Sequence, residues 1–263
     1  MESGLKGKSV LVAAASSGIG YSTARGFLQE GARVSICSHN AEKLQAAALR
    51  LESETGNKPF SWVCDLTSPD FIEEWIKRSE RAHGQAQILI SNTGGPPAGG
   101  WDEVTPENWK KGYDLVLGSA MKLCDLVVQG MKQANWGRVI FISSVSAWQA
   151  ITHLAVSSTY RAGLLGYAKV LSNDLGRYKI TVNTVLPGYT MTDRQKELAE
   201  LTAKKTGRTP KEVIQGWEAE TPLGRAAKPD EIASAVLFLA SDLASFITGV
   251  ALPVDGGRVQ SIA

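Results

Sequence analysis

Cysteine is scarce in this chain: Cys37, Cys64 and Cys124 stand far apart, with no CxxC pair. An odd count at such spacing argues against a disulfide framework or a thiolate metal site and fits a reducing compartment, so no metal is expected. No run reaches the roughly 18 apolar residues that a bilayer span requires. Met1 to Val12 carries Lys6 and Lys8 and then a short apolar segment, without the h-region and cleavage site of a signal peptide. A cytoplasmic protein is the expectation. Charge of one sign is missing too: 28 basic and 26 acidic residues leave +2, with no polybasic stretch. That removes nucleic acid and membrane surfaces as expected partners and leaves a small-molecule or acyl-type substrate. Repeats, low-complexity segments and composition breaks are also absent. With 43% hydrophobic and 21% charged residues, 1–263 is expected to form a single domain.

What is present is an alternation. Short apolar runs rich in β-branched residues recur at Ser9 to Ala14, Arg33 to Ser38, Pro59 to Cys64, Ala86 to Ser91, Val139 to Ile142, Ile180 to Leu186 and Val250 to Val254, each followed by a helical pattern. This order predicts an α/β fold, a doubly wound Rossmann-type seven-stranded parallel sheet flanked by helices. Helix boundaries are marked by Ser68-Pro69 and Thr105-Pro106 as N-cap and N1, and by Gly31 and Gly84 as terminal glycines. Leu164, Ala168, Leu171 and Leu175 lay one apolar stripe down a helix between Leu154 and Tyr178. The stretch from about 192 to 220, rich in Lys, Glu and Thr, is expected to be a helical lid over the site.

The run from Val10 to Gly20 leads from a strand through a small-residue turn into a helix. Unpaired N–H groups and the helix dipole make such a junction an anion site, although a GxG pair also joins strands to helices where no ligand binds.

Taken together, several segments resemble the short-chain dehydrogenase/reductase family, in its 3-oxoacyl-[acyl-carrier-protein] reductase-like branch. Ala13 to Gly20 is similar to the family's TGxxxGxG, Asp65 to its adenine-contacting Asp, and Ser91-Asn92-Thr93-Gly94 to NNAG. Ser143-Ser144 matches ISS, Pro187 to Thr192 matches PGxIxT, and Thr248-Gly249 with Val254 to Gly257 match ITG and VDGG. The resemblance implies a nicotinamide dinucleotide held by Ala14, Ser16, Ser17, Gly18, Ile19 and Gly20, by Asp65 and Leu66, by Asn92, Thr93 and Gly94, and by Pro187, Gly188, Thr190 and Thr192. Asp65 could equally be a cap or turn residue, and the two threonines a capped turn. Ala14 stands at the loop's first glycine, tolerable if that position does not need positive φ. At the end of the second strand Ser38, His39 and Asn40 offer no carboxylate to the ribose diol, and a histidine can donate to phosphate. NADP(H) is therefore favoured, with NAD(H) possible, while a plain surface turn remains open for His39.

The family's catalytic set, a Ser, a Tyr thirteen residues on, a Lys four beyond that and an Asn on the preceding helix, survives here only in part. The serine is Ser144, but the Tyr position holds Ser157, the Lys position Arg161 and the Asn position Val116. Arg161 can still bond the ribose, though its planar fork is not a lysine ammonium. Ser157 can orient substrate or relay a proton through water but not supply an acidic phenol. Candidates for the missing proton donor are Tyr160, His153, Tyr189 and bound water, with helix packing the competing role for Tyr160. Gly95 and Pro96 open the loop to Gly100, which would line a substrate pocket with His153, Tyr160 and Tyr189. The expected activity is hydride transfer between cofactor and a ketone or secondary alcohol, on a 3-oxoacyl-type or sugar-type substrate. An inactive dinucleotide-binding sensor or scaffold is the alternative. A homodimer or homotetramer is expected, with Val116, Leu117, Met121 and Leu123 among the apolar residues that leave enough surface to cover both sheet and partner.

Overall fold

Alternating β-branched runs bury both faces only in a sheet covered on two sides, and that is how the chain folds. The structure, a computed structural model, describes residues 2–261. Strands β1 (Ser9–Val12), β2 (Arg33–Ser38), β3 (Phe60–Val63), β4 (Ile88–Ser91), β5 (Gly137–Ile142), β6 (Ile180–Pro187) and β7 (Ala251–Val254) form a 7-stranded sheet in the order β3-β2-β1-β4-β5-β6-β7. All pairings are parallel, with Val10 opposite both Val34 and Ile88. The helices are α1 (Gly18–Gln29), α2 (Ala41–Thr55), α3 (Pro69–His83), α4 (Pro106–Gly112), α5 (Ser119–Ala134), α6 (Ala155–Leu175), α7 (Asp193–Thr206), α8 (Pro210–Ala219) and α9 (Pro229–Ala240).

Side chains alternate between the two faces of each strand. Val10, Val12, Ile88, Ile90, Ile140 and Ile142 pack with α1, α2 and α9, whereas Leu11, Ala13, Leu89, Val139 and Phe141 pack with α3, α5 and α6. The stripe on α6 buries Leu164, Ala168 and Leu175 in this second layer, with Leu171 packed partly against it. Start and stop signals act as their chemistry directs. Thr105 and Asn108 close a reciprocal cap on α4, and Gly84 ends α3 at φ +77°. Ser68 precedes Pro69 at the start of α3 but makes no side-chain cap. Between α4 and α5 the turn widens into a π-helix, Tyr113–Gly118.

The apolar residues divide and one expectation changes. Val116 and Leu123, 2% and 0% exposed, cover the sheet, which leaves half-buried Leu117 and the more open Met121 on the outer side. Ala14 does adopt positive φ, +49°, because the chain must turn out of β1 here while Ala15 N–H reaches across to the Cys37 carbonyl at 2.9 Å. An alanine in that region costs about 1 kcal/mol or slightly more, part of which a glycine would give back as chain entropy. Ala14→Gly should therefore raise Tm by about 1 to 3 °C in thermal unfolding, and a fall in Tm would show that no strain is held at this turn.

Candidate active site

In an open parallel sheet the strand carboxyl ends face loops that diverge where the winding direction reverses, and ligands fit the crevice between them. Here the reversal lies between β1 and β4. A cavity of about 980 Å³ opens there, walled by the loops following β1, β2, β3, β4, β5 and β6.

The β1–α1 turn forms its floor. Gly18 sits at φ +57°, and a Cβ on it would come within 3.1 Å of Thr192 Cγ2 across the crevice. A Cβ on Gly20 would strike the Ala14 carbonyl and lie 2.9 Å from Asn92 Nδ2. Glycine is thus required for the close approach of helix to strand. Ser17 precedes α1 without a side-chain cap, and the first turn holds no acidic residue, so the N–H groups there are free to face an anion. Asn92, nearly buried, donates from Nδ2 to the carbonyls of Ala13 and Ala14 at 3.3 and 3.2 Å, fixing the turn from β4.

Toward the β2 and β3 ends, Ser16 Oγ donates to Ser38 Oγ at 3.0 Å, and Ser38, His39, Asp65 and Leu66 line the wall with Ile19. Asp65 Oδ1 accepts from both the N–H and hydroxyl of Thr67, at 2.9 and 2.8 Å, so it holds its own turn as well as facing the cavity. Asn40 is corrected: it lies outside the cavity wall and caps α2, accepting from Lys43 N–H at 2.8 Å. An Asn just before a helix is drawn to that use.

Thr93, Gly94, Gly95 and Pro96 continue along the rim, with Pro187, Gly188, Tyr189, Thr190 and Thr192 opposite. A Cβ on Gly188 would come 2.7 Å from Asp255 Cα, which ties the VDGG segment to this turn. The Thr192 hydroxyl accepts from Gln195 N–H at 3.2 Å as the N-cap of α7, and the Thr190 hydroxyl donates to the Gly188 carbonyl at 3.2 Å. Both hydroxyls hold the turn.

At the inner end lie Ser144, Ser157 and Arg161. Arg161 is only 9% exposed. Its Nη1 donates to the carbonyls of Ser143 at 2.6 Å and Ile142 at 3.3 Å, and its Nε to Ser157 Oγ at 3.2 Å. Burial, with a smaller push from the Arg194 charge, pulls its pKa down to about 10, which leaves it charged at neutral pH. Ser144 Oγ accepts from Ser146 N–H at 3.1 Å, so its proton is free to donate into the cavity.

Tyr160 is corrected as a pocket residue. It does not line the cavity and instead packs edge-on against Trp109 and Tyr113, at 5.8 and 6.0 Å between centroids. Three residues along a helix turn it well away from the Ser157 direction. His153 does line the cavity, in a left-handed conformation at φ +66°. Tyr189 lines it too, stacked on Trp217 at 5.1 Å and covered by Arg258 at 4.3 Å. Its hydroxyl donates to Glu220 and accepts from Arg258, and burial pushes its pKa up to about 12.

Sequence reasoning missed the cationic side of the wall, Lys111, Arg194, Lys205 and Arg258. For Arg194 a signal existed: it stands two residues past Thr192, in the first turn of a helix leaving the site. Arg258 likewise directly follows the Val254 to Gly257 motif, while Lys111 comes from a distant segment and carries no local signature. Among the described residues no group of three His, Cys, Asp or Glu side chains could hold a metal ion, and no helix is long and apolar enough to cross a membrane. The three cysteines are buried and free.

Comparison with known proteins places this geometry. The family model described as Enoyl-(Acyl carrier protein) reductase matches residues 13–258. The chain is 32% identical to the 3-oxoacyl-[acyl-carrier-protein] reductase of Chlamydia trachomatis over 96% of its length and 98% of the relative's. It is 30% identical to an L-rhamnose 1-dehydrogenase (NAD(P)(+)) of a Sphingomonas species, covering 98% of each. Among solved structures, L-sorbose reductase from Gluconobacter frateurii, complexed with NADPH and L-sorbose, superimposes at a TM-score of 0.94 with 28% identity, covering 100% of each chain. On this evidence the chain belongs to the short-chain dehydrogenase/reductase family.

Proposed function

We propose that this protein is an NADP(H)-dependent reductase or dehydrogenase that moves a hydride between the nicotinamide and a ketone or secondary alcohol, of 3-oxoacyl or sugar type. The observation that carries the reading is the single continuous cavity from the Gly18–Gly20 turn to Ser144 and Arg161. Its relatives point the same way. The residues fit a dinucleotide: an uncapped helix start free of acidic side chains for the diphosphate, and Gly94 and Thr190 along the rim for the nicotinamide. When bound, NADPH would supply the hydride. Everything else falls to this chain.

Ser144 would polarise the carbonyl oxygen through its free hydroxyl proton. Ser157 already accepts from Arg161 Nε, so its own proton is also directed outward, and the adjacent guanidinium charge strengthens it as a donor. Neither serine is a proton store, and the proton itself would come by way of water. Arg161, anchored on strand carbonyls, would present its remaining nitrogen, Nη2, to the ribose. Loss of an acidic phenol costs about 10² to 10⁴ in rate, while positioning supplies about 7 to 11 kcal/mol, so turnover survives the exchange. The α7–α8 pair, with its small separate core of Ala199, Ala203 and Val213, would act as the lid over 192–220 of a single-domain, cytoplasmic enzyme. Met121 and Val170, exposed on α5 and α6, would contribute to a two-fold interface between copies.

Five outcomes follow for measurement. Ser144→Ala and Arg161→Ala should each lower turnover on the order of 10² or more, followed by NADPH consumption, and the second should also weaken cofactor binding. Tyr160→Phe should change turnover by no more than about twofold, and an intact Ser144→Ala beside a crippled Tyr160→Phe would overturn the assignment. The pH profile should lack the ionisation of an activated phenol. For the cofactor, calorimetry should find NADPH bound more tightly than NADH, with His39→Asp reversing the order as a carboxylate meets the 2′-phosphate; NADH bound more tightly by the unaltered protein would refute the choice. Sedimentation should give a dimer or tetramer, and a monomer at micromolar concentration would reject the interface.

A further inference from the structure

The cavity wall is unbalanced in charge. Lys111, Arg161, Arg194, Lys205 and Arg258 line it, against Asp65 and Asp193. Two of the cations are compensated from outside the cavity: Lys205 pairs with Glu103 at 3.1 Å and Arg258 with Glu220 at 3.0 Å. Asp65 is spent on Thr67 near the β3 end, and exposed Asp193 faces Lys196 at 3.7 Å. That leaves Lys111, Arg161 and Arg194, of which the two arginines lie close enough for the charge of one to act on the other.

Arg161 is nine-tenths buried, and its hydrogen bonds go to two carbonyls and a hydroxyl, never to a carboxylate. Arg194 rests against Gly95, where a Cβ would come within 2.8 Å of its Nε, so only glycine lets the guanidinium lie there. Its Nη2 donates to the Pro96 carbonyl at 3.3 Å. Its one carboxylate, Glu197 at 3.4 Å, is a solvent-exposed i,i+3 partner, a type of pair that contributes little. Among the described residues Nε of Arg194 has no hydrogen-bond partner. One buried guanidinium and one that is 39% exposed are therefore held on the wall of a partly enclosed cavity without a buried counter-charge, and an anion between them would relieve their repulsion.

We propose that Arg194, reinforced by the buried charge of Arg161, receives the carboxylate of the substrate, which is a free oxo acid rather than a neutral ketone, a sugar or a carrier-bound thioester. This rests on the carbonyl-reduction reading above and replaces its sugar-type and carrier-bound substrates with a free acid. A guanidinium fork matches a carboxylate in two parallel hydrogen bonds. Anchored on the rim strand loop at Pro96, Arg194 would fix one end of the substrate while its carbonyl lies toward Ser144.

The test uses the full chain saturated with NADP⁺, so that binding is read without turnover. Acetoacetate, 2-oxobutyrate and levulinate are titrated beside their methyl esters and beside acetoacetyl-coenzyme A. At least one acid should bind about tenfold or more tightly than its ester, and Arg194→Gln should remove that difference while leaving NADP⁺ affinity unchanged. Arg194→Lys should restore part of it. Esters bound as well as acids would overturn the proposal. So would tighter binding of acetoacetyl-coenzyme A weakened equally by Arg194→Gln, since the carrier's phosphates would then be the anion. Loss of NADP⁺ affinity in Arg194→Gln, with acid binding intact, would reassign the residue to cofactor phosphate. The two readings separate in turnover with NADPH: equal reduction of acids and esters keeps the reductase and rejects the oxo acid. Selective acid binding without reduction of any compound keeps the carboxylate site and rejects the reductase.

Discussion

A guanidinium taken out of water must be repaid in hydrogen bonds, and the way Arg161 is repaid sets the inner end of this site. Two of its nitrogens are committed, one to the carbonyls that end β5 and one to Ser157 on the same helix. Those carbonyls leave the sheet just where the β-ladder stops and would otherwise face the cavity unpaired. The arginine therefore satisfies the strand end and is satisfied by it, which joins α6 to β5 at the point where chemistry would occur. Ser143 reinforces the junction, its hydroxyl lying 3.5 Å from the Arg161 carbonyl. Position is gained without a carboxylate partner, and the charge is left to act on whatever enters.

Everything else around the cavity is turn chemistry held from behind. Asn92 grips the β1–α1 turn, Thr192 caps α7, Asn40 caps α2, and Asp65 closes its own loop on Thr67. Each loop is locked by a short polar side chain. Around the β1–α1 and β4 turns the exposed surfaces are backbone groups, small residues and a few hydroxyls, which is what allows close approach to a large flat ligand. Strain is kept local: Ala14 and His153, both at positive φ, border the same cavity from opposite ends.

How much of this could be read beforehand depended on distance along the chain. The seven strands, their parallel pairing and the two-faced burial follow from apolar β-branched runs alternating with helical patterns and from turn residues within a few positions of one another, so they were legible. The loops that wall the cavity were nearly so, because they lie at successive strand ends whose order the fold dictates. Local rules failed where one residue had two possible uses. Asn40 could cap a helix or face a ribose, and the helix took it. Tyr160 could aim at the site or at a neighbouring helix, and two aromatic rings on the α4 side settled the matter. Val116 lay in a segment expected to serve both sheet and partner, and the π-helical turn directs it fully inward. The cationic wall was invisible for another reason: Lys111, Arg194 and Arg258 meet only in three dimensions.

The same reasoning bears on why the serine and the arginine occur together. If Ser157 stands where the family has Tyr, as the resemblance implies, the exchange removes both an acid and a large volume beside the residue one helical turn on. A lysine there would have a single ammonium at the tip of a flexible stem. An arginine can bond sideways through Nε to the new hydroxyl while its terminal nitrogens reach the strand carbonyls, so one side chain fills the gap and closes three hydrogen bonds. Each half of the exchange is poor without the other: a serine beside lysine leaves a hole, and an arginine beside an aromatic ring lacks its Nε acceptor. Residues in direct contact couple in this way. On the proposed assignment the pair would be a coherent alternative to the family's Tyr and Lys, losing the acid and keeping the positive charge, now fixed by three hydrogen bonds.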